Sequence, residues 1–254
     1  MGPRGSEPVT SSAARADSFA KYRERQAYHW REASLHPLHG WPYTRSRMAW
    51  VARQCAASRS ILEIGCGDGA LLARLTREGA SVVGVDREET AIELAGRMFK
   101  QRGLRGEFFT DLKAVEGRRF DTVVLAEVVE HLDDAEAMLA RVVGLLAASG
   151  RLVLTTPIRL LERSLDVHHV HEFWPDELRA LVGRYFESVE TDRMHPAWLI
   201  DLMCWGMGGI RPIAVLANLI RLCGVELLDR LGSPLSIYWT QGIVARNARH
   251  EQQA

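Results

Sequence analysis

The sequence predicts an α/β fold, a doubly wound and mainly parallel sheet with helices on both faces. Three observations predict it. From Ser60 onward, short apolar runs alternate with amphipathic stretches: SILEI with LLARLTREG, SVVGVD with ETAIELAGRMFKQRG, FDTVVLAE with DAEAMLARVVGLLAASG, then RLVLTTP. The first run ends in a glycine-rich turn, Glu63-Ile-Gly65-Cys66-Gly67-Asp-Gly69, ahead of an amphipathic stretch. The second run ends in a carboxylate, Asp86, about twenty residues further on, where α/β folds place a ribose-binding acid. At 254 residues and 47% hydrophobic content, the chain suits one such domain with terminal additions.

The elements follow in order. Residues 1–16 carry arginine but no apolar core of signal-peptide length, and read as a disordered lead-in. Residues 17–59 are rich in aromatics, histidine and arginine, and Pro37, Gly40 and Pro42 break them into what reads as two helices of an N-terminal cap. Residues 60–254 form the main domain. After its fifth strand come a histidine-rich loop, a helix opened by Pro175 and Asp176, the strand ESVET, and a final strand, PLSIYWTQGIVARN, expected to close the sheet edge. Within this domain, residues 197–228 are an apolar insertion. Asp201, Arg211 and Arg221, with Gly206, Gly208, Gly209 and Pro212, cut it into runs far shorter than the ~20 residues of a membrane span. It reads as helices that cover the core or a subunit interface, or as a flap facing lipid or an acceptor.

Charge narrows the partner class. Lysine plus arginine equals aspartate plus glutamate, 32 against 32, so the electrostatic footprint of a nucleic-acid wrapper is missing. Cys55, Cys66, Cys204 and Cys223 lack metal or disulfide spacing and read as free thiols of a reducing compartment, which makes the cytoplasm the default location.

The glycine turn carries the chemistry. Its third glycine follows the second by two residues, not by the three of the dinucleotide fingerprint, so a pyrophosphate cofactor is disfavoured. The motif E-x-G-x-G-x-G resembles the first motif of class I S-adenosylmethionine-dependent methyltransferases, which have a Rossmann-like fold. FDTVVLAEVVEHLDD resembles the fourth-strand block of their small-molecule members, the ubiquinone-biosynthesis-like O-methyltransferases. The resemblance runs from about Ser60 to Glu190. It implies S-adenosylmethionine as cofactor, held by Glu63, Gly65, Cys66, Gly67, Gly69, Asp86, Arg87, Asp111, Leu112, Ala126 and Glu127. Asp86 would bond the ribose, Asp111 the adenine amino group, and Leu112 would lie near the ring. Asp86 on its own also reads as a helix N-cap.

Two chemistries suit the remaining groups. Glu127, Glu130 and His131 follow the fourth strand, and His168, His169 and His171 lie in the loop after the fifth, both at the carboxyl edge where such sheets place ligands. His131, His169 and His171 are the catalytic candidates, since a neutral imidazole can take a hydroxyl proton near pH 7. Alternatively Glu127, Glu130, His131 and His171 bind a divalent metal, a set resembling the metal site of small-RNA 2′-O-methyltransferases. In those enzymes a histidine precedes F-E-W, whereas HVHEFWPDEL reverses and shifts that order. The later motif resembles instead bacterial methyltransferases of sugars, lipid-linked glycans and secondary metabolites. The expected partner is therefore a small-molecule, sugar or lipid-linked acceptor, with metal not required and RNA disfavoured. Peripheral membrane contact, a homodimer and a non-catalytic binding subunit stay open, as fold alone excludes none of them.

Overall fold

The computed structural model describes residues 20–77, 79–162, 166, 168–205, 211–223, 233 and 236–249. The lead-in at 1–16 lies outside them. The cap forms three helices where the sequence suggested two: α1 (Ala20–Arg25), α2 (Tyr28–Glu32) and α3 (Pro42–Cys55). Pro42 stands at the start of α3, where its missing N–H costs nothing.

The main domain then runs β1 (Ser60–Ile64), α4 (Ala70–Arg77), β2 (Ser81–Val85), α5 (Glu89–Gln101), β3 (Glu107–Phe109), β4 (Phe120–Ala126), α6 (Ala135–Leu145), β5 (Leu146–Pro157), α7 (Pro175–Gly183), β6 (Phe186–Pro196), α8 (Ala197–Cys204), α9 (Pro212–Leu222) and β7 (Tyr238–Ala248). The seven strands order as β3-β2-β1-β4-β5-β7-β6. The first five are parallel, and β7 is antiparallel to both β5 and β6.

Strand period explains the two helical layers. Leu62, Val83, Val123 and Leu154 pack into one core, while their neighbours Ile61, Val82, Val124 and Val153 pack into another on the opposite face. Both faces of the central strands are apolar, so both must be covered. The final strand departs from the expectation that it closes the edge: β7 lies inside the sheet and β6 forms the border. Burial is the reason. Residues 240–245 of β7 are all buried, whereas Glu190 to Arg193 of β6 are exposed, so the polar strand faces water.

The cap docks on the glycine turn through Asp68. Its carboxylate accepts the His29 N–H at 3.0 Å, and its carbonyl accepts the Trp30 indole N–H at 2.7 Å. Asn218 of α9 ties the other end, donating to the carbonyls of Pro37 and Gly40 and accepting from Arg45. The apolar insertion contributes α8 and α9 within the described residues, with 206–210 and 224–228 outside them. None of the described helices is long and apolar enough to cross a membrane.

Candidate active site

A cleft of about 2090 Å³ opens along the carboxyl edge of the sheet. This exceeds the roughly 300–1,000 Å³ of one small-ligand pocket, so a cofactor and an acceptor can lie side by side. Its wall beside the glycine turn is built largely from backbone. Gly65 and Gly67 have φ of +76° and +53°, which lets the chain double back after β1 and donate the Gly65 and Cys66 N–H groups to the Val85 carbonyl. A Cβ on Gly67 would collide with the Tyr22 hydroxyl, which α1 places over the turn. Gly69 serves another end: a Cβ there would press on Ala95 of α5 at 3.1 Å, so it sets helix packing.

Asp86 binds the turn directly. One carboxylate oxygen accepts the Gly67 N–H and the other the Glu88 N–H, both at 2.9 Å. Glu88, not Asp86, is the N-cap of α5. Each oxygen keeps a second lone pair toward the cleft, which Asp86 lines with Arg87, Asp111, Leu112, Ala126 and Glu127. Asp111 also caps the short 3₁₀ turn after β3 by accepting from the Lys113 N–H. Cys66 is buried beneath the loop, and burial pushes its thiol well up, so it acts as packing and not as a nucleophile.

Glu63 and Glu127 face a cation that sequence reading missed. Glu63 is buried, and one of its oxygens has no partner among the described residues; burial, then Asp86 and Asp68, push its carboxyl well up. Beside it stands Arg47 of α3, which shares a small recess with Glu63, Gly65, Gly67 and Ala126 and pairs with Glu127 at 2.8 Å. Glu127 is held at φ +59°, an uncommon conformation for a non-glycine residue, by its N–H bond to the Thr155 carbonyl and by this ion pair. Tyr43, one helical turn before Arg47, bonds Thr240 and lies 3.4 Å from Glu127. The spacing of Tyr43 and Arg47 on one helix face was the available signal. Nothing in it said that the face would meet the glycine turn.

The acceptor side is built from loops. Glu130 is buried, accepts the Thr156 hydroxyl proton at 2.9 Å, and its carbonyl accepts the N–H groups of Val170 and His171. Burial and then Glu127 push its carboxyl well up. This joins the fourth-strand and fifth-strand loops and brings His131 and His169 edge to face, 5.0 Å between ring centres, both on the cleft. His131 Nδ1 lies 3.1 Å from the His168 carbonyl, which can only accept, so Nδ1 carries the proton and Nε2 keeps a lone pair. Burial lowers its pKa. His169 Nδ1 meets the buried Glu172 carboxylate at 2.7 Å.

His171 is not brought to this site. Its Nε2 bonds Glu177 at 2.7 Å, its ring meets Phe173, and it does not line the cleft. His169 is held beside the cleft by Glu172, whereas His171 is held by Glu177 of α7. The expected metal set is therefore not assembled: Glu127 faces Arg47 and His171 faces Glu177. A different trio, Glu130, His131 and His169, offers donor atoms within 4.8 Å of one another.

The chain is similar to known proteins over this region. A family model described as a methyltransferase domain matches residues 62–152. The ubiquinone biosynthesis O-methyltransferase of Coxiella burnetii is 27% identical over 145 residues, covering 55% of this chain and 61% of that protein. The mitochondrial enzyme of the same name from Schizosaccharomyces pombe is 37% identical over 121 residues, 45% of this chain and 44% of that one. The chain thus spans about three fifths or less of the length of these relatives. Among solved structures, the Burkholderia thailandensis 1,6-didemethyltoxoflavin-N1-methyltransferase superposes with a TM-score of 0.61 at 18% identity, covering 96% of this chain and 94% of that one. Residues 62–152 thus resemble a methyltransferase domain, and the fold is the one seen in the solved methyltransferase.

Proposed function

We propose that the protein transfers a methyl group from S-adenosylmethionine to a hydroxyl of a small-molecule, sugar or lipid-linked acceptor. The observation that carries this is one cleft with two walls of different chemistry: the glycine turn with Glu63, Arg47 and Asp86 on one side, and the His131–His169 pair on the other. The cofactor fits the donor set. Its amino-acid end needs an acceptor for its ammonium and a cation for its carboxylate, which the unpartnered Glu63 oxygen and Arg47 offer within one recess, the incoming ammonium favouring the ionised Glu63 that burial otherwise disfavours. Its ribose needs a carboxylate, Asp86, and its adenine a polar and an apolar neighbour, Asp111 and Leu112. Cys66, Arg87 and Ala126 complete that wall. The names of the relatives support oxygen as the atom methylated.

Bound S-adenosylmethionine supplies a methyl group on a sulfonium. His131 Nε2, neutral and with its lone pair fixed by the His168 carbonyl, takes the acceptor hydroxyl proton as the oxygen–carbon bond forms and the carbon–sulfur bond breaks onto sulfur. His169, oriented by Glu172, holds the hydroxyl or serves as the alternative base. Most of the remaining rate would come from positioning. Transfer of labelled methyl groups to pools of hydroxylated metabolites, lipid extract and short RNA tests the reading. Labelled hydroxyl ethers in the first two pools support it, and label only in RNA or on nitrogen counts against it.

A second reading rests on Glu130, His131 and His169 as a divalent-metal site that would polarise the hydroxyl. The raised Glu130 carboxyl disfavours it, because a ligand must give up its proton. Loss of activity on chelation, restored by added divalent ion, would favour it. We place the protein in the cytoplasm, with Trp198, Leu202 and Trp205 of the α8 region and Leu216 and Leu219 of α9 as an exposed apolar face for a membrane surface or a second copy. Vesicle flotation and sedimentation distinguish the two.

A further inference from the structure

The charges lining the cleft do not balance locally, although they balance over the chain. Its carboxylates each have a partner elsewhere: Glu32 in Arg25 and Thr44, Asp86 in backbone N–H groups, Asp111 in the Lys113 backbone N–H, Glu127 in Arg47, and Glu130 in the Thr156 hydroxyl. Lys21 is different. It lies on α1, half-buried in the roof of the cleft, and makes no ion pair or hydrogen bond among the described residues. Its only close partner is the Tyr22 ring, 5.6 Å away. Asp86, Asp166, Arg25 and Arg47 are the charged groups that act on it, and it acts in turn on His131, so it hangs over the place where the two walls meet. Arg141 of α6, exposed, lines the same cleft and has no carboxylate partner among the described residues.

A half-buried ammonium whose nearest carboxylates, Asp86 and Asp166, act on it without direct contact keeps an uncompensated part of its desolvation cost unless a ligand provides a direct partner. We propose that Lys21, backed by Arg141, is a specificity-determining residue that binds an anionic group, a carboxylate or phosphate, on the acceptor beside its reacting hydroxyl. This deepens the methyl-transfer reading and rests on it. The burial that lowers the ammonium pKa agrees, since an occupying anion would offset that cost. The α1 helix would then close over the acceptor by charge pairing, while the glycine turn beneath holds the cofactor.

The test uses two probes of one shape and different charge, 4-hydroxybenzoate and 4-hydroxybenzamide, titrated calorimetrically into the chain saturated with S-adenosylhomocysteine. The parent should bind the carboxylate at least about tenfold more tightly than the amide, as for a hydrogen bond to a charged group. In Lys21→Gln that preference should shrink to within about threefold, and Arg141→Gln should reduce it partially, with amide affinity and melting temperature unchanged. Phenyl phosphate in place of the carboxylate distinguishes the two anion classes. Equal affinity for benzoate and benzamide in the parent overturns the proposal, as does a preference that survives Lys21→Gln. A Lys21→Gln loss confined to S-adenosylhomocysteine binding also overturns it, by making Lys21 a cofactor residue. Failure of the methyl-transfer reading itself appears earlier, as no binding of S-adenosylhomocysteine by the parent.

Discussion

The two walls of the cleft are made by different means. The cofactor wall is backbone and strand ends from one short stretch, Glu63 to Gly69, with Asp86 bonded to its middle. The acceptor wall is side chains gathered from far apart: Glu130 and His131 after β4, and His168 and His169 after β5, with Tyr43 and Arg47 of the cap standing between the two walls. A backbone site tolerates no added atoms, whereas a side-chain site can lose one group and keep its shape. The difference predicts two kinds of mutational failure.

The largest effect should come from the backbone wall. Gly67→Val would place a branched side chain at φ +53° and against Tyr22, and should abolish binding of S-adenosylhomocysteine while circular dichroism still reports the fold. Normal affinity in that variant would move the cofactor elsewhere. Next comes the acceptor wall. His131→Ala should lower turnover ~10²–10⁴-fold with cofactor affinity nearly intact, and His171→Ala should change little because its ring faces Glu177. Equal damage from both would show that the loop matters as a packed unit and not through one base.

Arg47→Ala joins the walls, so it should damage both. It leaves Glu127 unpaired at a strained backbone position, and should cost about 3 kcal/mol of stability together with at least tenfold in cofactor affinity. Arg47→Lys should restore part of the stability through the same charge. An effect on neither quantity would make the ion pair incidental.

The same contrast explains what the sequence could reveal. Glycine spacing and strand-end acids are local, so the turn and Asp86 were legible before any coordinates. Their internal bond was not, and neither was the α1 roof that seats Tyr22 over Gly67. His131 and His169 were named from position along the chain, but the choice among three neighbouring histidines depends on which way each ring turns. Glu172 draws His169 inward and Glu177 draws His171 out. Order in the sheet also eluded local reading: the last strand looked like an edge, and its full burial puts it inside, with polar β6 outside.

The effect of pH should come from the acceptor wall and from a buried histidine outside both walls. His131 has its pKa lowered by burial, so the midpoint of the acid-side fall in kcat/KM should lie below that of a free imidazole. A midpoint above the free-imidazole value would assign the base elsewhere. Away from the chemistry, His195 is buried at φ +63° on Thr240, and burial brings its pKa down to about 3. The unfolded chain then binds the extra proton between about pH 6.5 and 3, so stability should fall by up to about 1.4 kcal/mol per pH unit across that window. His195→Gln should flatten the slope, and an unchanged slope would place the titrating group elsewhere.

The central claim is that one cleft carries a cofactor wall and a separable acceptor wall. Calorimetric titration of S-adenosylhomocysteine into the parent, Gly67→Val and His131→Ala, side by side, tests it most directly. The account predicts one-to-one binding by the parent, none by Gly67→Val, and parental affinity in His131→Ala. No binding by the parent, or equal loss in both variants, would contradict it.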